Sequence, residues 1–181
     1  MGILDFLKKK KEPLLAFISA RVPDAALPDT LPDFARRFLH MVQNYSIQFY
    51  RDIHSHDAGG FPAVKEELFY LLFFVVEHHI RNERDPDTAE RVFTHLRMLL
   101  TEAMSGSDRA FHAEGFWERY RERAAAYSSH HASSLAQEKL IAVFNAQLLS
   151  RLRDWPKLIA YHGAQVAGEA LAELQGASVE R

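Results

Sequence analysis

The chain has 181 residues, enough for one domain whose core needs neither disulfide nor metal to hold it. Hydrophobic residues make up 48% and aromatics 12%, with 13 Phe, which excludes a chain disordered by composition. Cysteine is absent, which excludes disulfides, thiolate metal sites and a thiol nucleophile; the formal net charge of −2 supplies no overall field to attract nucleic acid.

Apolar residues recur at helical spacing along most of the chain, and no segment alternates with the period of two that marks a strand. Residues 1–20 are expected to form a short amphipathic N-terminal helix, broken or restarted at Pro13. Its apolar residues Ile3, Leu4, Phe6 and Leu7 precede the run Lys8 to Lys11. That order reverses the charge-then-hydrophobe order of a signal peptide, and Phe6 stands where a myristoylation signal wants Ser or Thr. Residues 21–31 hold prolines at 23 and 28, just ahead of Pro32, and read as a linker to a bundle spanning 32–176; residues 177–181 read as a polar tail.

The second helix is expected from about Pro32 to Ile53, with Phe34, Phe38, Met41, Val42, Tyr45 and Phe49 along one stripe. Gly59 and Gly60 interrupt it, and Pro62 suits the first turn of a third helix over about 62–82. That helix is apolar on every side from Leu68 to Val76, so it must be surrounded and is expected at the centre. The run is too short for a membrane span, which needs about 20 apolar residues. Asp85 is placed as the N-cap of the fourth helix, with Pro86 at N1 and a stripe through Val92, Phe93, Leu96 and Leu100 that stops near Ser105. A fifth helix is expected over about 110–127. A sixth, over about 134–153, opens on a capping box formed by Ser134 and Gln137, and a seventh runs from Pro156 to about Leu174. The fold class expected is therefore all-α: one bundle of six or seven helices around a largely buried central member.

The chain carries ten histidines. If consecutive helices run antiparallel, His54 and His56 lie at the opposite end of the third helix from His78 and His79, about 30 Å away, and cannot share an ion with them. His54, His56 and Asp57 would instead group with His112 and Glu114, a set able to hold a divalent metal through imidazole and carboxylate. His78 and His79 would group with His130 and His131. Solvated loop histidines are the competing reading for both groups. The paired Glu-x-x-His of di-iron bundles, the His-Glu-x-x-His of zinc proteases, a phosphate-binding glycine loop and a serine nucleophile elbow are all absent.

Glu66 and Glu67 sit on the most apolar helix. Their side chains are expected either to carry a raised pKa suited to acid–base chemistry or to pair with arginine. Arg119, Arg121 and Arg123 alternate with Glu118 and Glu122 and read as a salt-bridged solvent face, so nucleic acid is not an expected partner. Phe73, Phe74, Phe93 and Phe116 are candidates for the lining of a pocket for an apolar ligand, against a plain packed core.

These features favour a cytoplasmic, non-catalytic bundle with a binding or regulatory role, toward a protein partner, a second copy of itself or an apolar small ligand. A His-rich metal-binding protein or metal-dependent enzyme is one alternative. The other is a scaffold held at a membrane surface through residues 1–18, whose lysines would favour anionic lipid.

Overall fold

A computed structural model describes residues 12–21, 27–52, 60–107, 112–129, 137–152 and 156–176. Seven helices and no strand occur among the described residues. They are α1 (Leu14–Arg21), α2 (Leu27–Asp52), α3 (Phe61–Glu83), α4 (Pro86–Ser107), α5 (Ala113–Ser129), α6 (Gln137–Arg151) and α7 (Pro156–Gln175). No helix among these residues is long and apolar enough to cross a membrane.

Helix α3 is the centre, as its all-round hydrophobicity requires. Every residue from Glu67 to Val76 is buried, and α3 packs against all six other helices. Pro62 lies in its first turn, where a missing N–H costs nothing, and Arg81 in its last turn complements the helix dipole. The chain then turns sharply into α4. The Asp85 side chain accepts the Thr88 N–H at 2.9 Å, the N-cap bond expected there, and the Asp85 carbonyl accepts the Ala89 N–H at 2.9 Å. Helices α6 and α7 form an antiparallel hairpin with the most extensive contact among the described pairs. Gly163 allows it, since a Cβ there would collide with Asn145, whereas one on Gly168 would make ordinary contact with Ile141.

Several boundaries differ from the sequence expectation. Helix α2 starts at Leu27, so the last part of the expected linker is helical and Pro32 lies inside the helix. Pro28 sits in the first turn, where proline is tolerated. The bond lost at Pro32 is outweighed by burial of Leu31 and Phe34, both 0% exposed. Helix α4 runs through Gly106 to Ser107 rather than stopping near Ser105, and α5 starts at Ala113. The Ser134 half of the expected capping box lies outside the described residues. Gln137 donates instead to the Gly168 carbonyl of α7, at 3.3 Å.

Candidate functional site

The polar heart of the bundle lies where α3, α5 and α6 meet. Glu67 is 0% exposed, and an isolated carboxylate there would carry a large desolvation cost. It is instead held by two arginines. Arg123 of α5 donates through Nε to Oε2 at 3.1 Å and through Nη2 to Oε1 at 3.2 Å, while Arg151 of α6 donates through Nη1 to Oε1 at 3.0 Å. Arg151 spans both acids: its Nη2 donates to Glu66 Oε2 at 2.8 Å. Arg119 Nε donates to Glu66 Oε1 at 2.6 Å, and the Tyr70 hydroxyl forms a short hydrogen bond to the same oxygen. Five charges thus form one chain, Arg119–Glu66–Arg151–Glu67–Arg123, tying three helices together.

The electrostatics follow from this geometry. Burial by itself would raise the Glu66 pKa. The hydrogen bonds from Tyr70, Arg119 and Arg151 outweigh it and hold the carboxyl below its ordinary value. This corrects, for Glu66, the expectation of a raised, acid–base-ready carboxylate and favours the arginine-paired alternative. Burial, followed by the Glu66 carboxylate, pushes the Tyr70 hydroxyl above its ordinary value, so it stays a protonated donor at neutral pH.

The solvent-face reading of the fifth helix holds for Glu118, Arg121 and Glu122, which are exposed, and is corrected in part for Arg119, 47% exposed, and for Arg123. Arg119 and Arg123 turn onto Glu66 and Glu67, and the Arg123 side chain is only 17% exposed. A signal for this stands in the sequence. Phe116, Tyr120 and Tyr127 are buried at helical spacing on α5, and Arg119 and Arg123 fall on that same face, whereas Arg121 is exposed.

A second constellation joins α1 to the end of α3. Ser19 Oγ donates to Glu83 Oε2 at 2.6 Å and lies 2.7 Å from His79 Nε2, and Arg84 Nη2 donates to the Ser19 carbonyl at 3.0 Å. The residue types resemble a serine nucleophile with its base and acid, but the proton order does not. With its one proton on Glu83, the serine accepts from His79, which must carry hydrogen on Nε2. A nucleophilic serine needs the reverse, and its carboxylate belongs on the other ring nitrogen. Glu83 Oε1 lies 3.4 Å from the same Nε2. The adjoining cavity, between Ile18, Ile80 and Val92, holds about 10 Å³, room for one water at most. The arrangement is a clasp that ties the last turn of α1 to the end of α3 and gives the Ser19 carbonyl a partner.

The four phenylalanine candidates are all in the core, at 0–6% exposure. Phe73 stands edge-on to Phe93, with centroids 6.4 Å apart, and also to Phe38 and Tyr120. Phe116 stands edge-on to Phe69 at 4.9 Å, and Phe74 packs against Tyr127 and His78. Of the expected metal ligands, His54, His56 and Asp57 lie outside the described residues. His112 and Glu114 are exposed at the start of α5, where the His112 carbonyl accepts the Phe116 N–H at 3.0 Å. His130 and His131 also lie outside the described residues, as does the Lys8 to Lys11 run. Among the described residues, no three His, Asp or Glu side chains are placed to hold one metal ion.

The described surface offers an open groove of about 590 Å³ along α2, floored by Leu14 and Met41 and edged by Arg36, His40 and Asn44. Among the large apolar side chains, Ile47, Met98 and Tyr161 are exposed, the last two by 65% and 71%. In comparisons with known proteins the chain matches no family model, and no curated protein or solved structure is significantly similar to it.

Proposed function

We propose that the chain is a non-catalytic helical module that acts by binding a protein partner. The observation that carries this reading is the mutual saturation of two groups, the Glu66–Glu67 carboxylates and the Ser19, His79 and Glu83 side chains. Glu66 and Glu67 are consumed by three arginines and Tyr70, and Ser19, His79 and Glu83 by one another. Catalytic groups are ordinarily left poised, with a pKa tuned toward the working pH and an open approach for substrate. The pulled-down Glu66 and the water-sized cavity beside Ser19 lack these features. The close edge-on packing of Phe73 and Phe116 favours a protein partner over an apolar small ligand as the bound species.

Native mass spectrometry of the untagged chain, isolated at its natural abundance, tests the reading. The expected spectrum contains the chain in an assembly larger than its 20.8 kDa monomer, with another protein or a second copy. A monomer carrying one stoichiometric metal ion or small organic molecule would overturn it.

A further inference from the structure

Arg97 differs from the arginines that hold a carboxylate, namely Arg81, Arg119, Arg123 and Arg151. The Arg97 guanidinium lies over the Trp117 indole, 5.7 Å from the ring centroid, and its Nε is buried with no hydrogen-bond partner among the described residues. A charged donor left unmatched away from water is costly, and its persistence in a native fold asks for a reason. Glu77 shares the surroundings of the Tyr120 hydroxyl with Arg97, but both of its oxygens are taken. Oε1 accepts from Arg81 at 2.8 Å, and Oε2 accepts a short hydrogen bond from Tyr120.

The platform under Arg97 is rigid. The indole Nε1–H of Trp117 donates at 2.9 Å to Thr101, one turn along α4 from Arg97. Trp117 also packs against Phe69, Phe73, Phe116 and Tyr120. A second guanidinium, that of Arg81, is held over Phe93 at 4.9 Å. This is how a receptor for an anion is built: a stacked guanidinium whose direction is set before the ligand arrives.

We propose that Arg97 and Trp117 form a carboxylate-binding site between α4 and α5, which receives an acidic side chain of the protein partner. A carboxylate fits better than a phosphate for two reasons. The two terminal nitrogens of the planar guanidinium, unlike the buried Nε, can meet it in a bidentate way, and Glu77 and Glu90, both bonded to Arg81, would repel a dianion more than a monoanion. The inference rests on the partner-binding reading only for the source of the carboxylate.

The test is a titration of the full chain with N-acetylglutamate amide, followed by the Trp117 indole N–H signal in ¹H–¹⁵N spectra. The chain has two tryptophans, and the signal is assigned with Trp155→Phe. Inorganic phosphate forms the second arm and sodium chloride the control. The site predicts a saturable shift with millimolar affinity, weakened about tenfold in Arg97→Gln and less in Arg97→Lys, which keeps the charge but not the fork. Tighter binding of phosphate than of the glutamate amide would overturn the carboxylate assignment. A shift that stays linear, or that chloride reproduces, or that Arg97→Gln leaves unchanged, would overturn the site. A failed titration leaves the partner-binding reading to the mass measurement, so the two stand or fall separately.

Discussion

At the scale of single residues, the account turns on Glu66 and its three donors. The folded carboxyl sits below its ordinary value of 4.5, because hydrogen bonds from Tyr70, Arg119 and Arg151 overcome the opposing effect of burial. A depressed carboxyl stabilises the fold fully above its unfolded pKa, and that contribution is lost as pH falls through the folded value. Urea unfolding of wild type is therefore expected to show stability falling as pH drops from 5 toward 3, and Glu66→Gln should flatten that slope. An equally steep slope in the variant would place the acid sensitivity in other carboxylates. The arginines were only half legible. A pair of glutamates opening an all-apolar helix demands cations, and that much can be read. Which cations answer could be read only by noticing that Arg119 and Arg123 share the helical face of Phe116, Tyr120 and Tyr127. Their alternation with Glu118 and Glu122 pointed the other way, because neighbours in sequence are not neighbours across a helix.

At the scale of elements, the helix ends carry the testable content. Gly176 follows α7 with φ of 77°, the left-handed conformation that closes a helix, and a Cβ there would fall inside contact distance of the Pro13 ring. Gly176→Ala is expected to lower stability by about 1–2 kcal/mol, the cost of a left-handed L-residue, before any clash is counted. Thermal unfolding checks this, and an unchanged midpoint would mean that the residue closing α7 is not held in the left-handed conformation. Asp85→Ala should destabilise the chain and Asp85→Asn much less, because either oxygen can accept the Thr88 N–H; circular dichroism melts of the two variants separate these outcomes. This N-cap was readable because a cap is a local chemical pattern. The start of α2 was not. The proline rule is local, whereas Pro32 is carried by burial of Leu31 and Phe34 against parts of the chain far away in sequence.

At the scale of the whole molecule, six of the seven helices among the described residues pack around one that is apolar on every side, and that arrangement follows from hydrophobic patterning alone. What patterning does not carry is the crossing of helices that brings residues 66 and 67 to residues 119, 123 and 151. The clasp at Ser19 is likewise a product of tertiary docking, since its partners lie some sixty residues away. Arg84→Ala should release the Ser19 carbonyl and speed hydrogen exchange of the α1 amides about tenfold while leaving α3 protected; equal exchange in both proteins would show that apolar packing alone holds α1.

The buried carboxylate of Glu67 ties α3 to α5 and α6 and so stabilises the fold. Chemical unfolding of Glu67→Gln beside wild type tests it most directly. Removing a structural carboxylate leaves Arg123 without its counter-charge and Arg151 with Glu66 alone, so the variant should lose roughly 3 kcal/mol with its helix content retained. Carboxylates kept for catalysis are commonly held at a cost to stability, and neutralising them relieves that cost. A Glu67→Gln chain as stable as wild type, or more so, would contradict the account and turn attention back to Glu67 as a working residue.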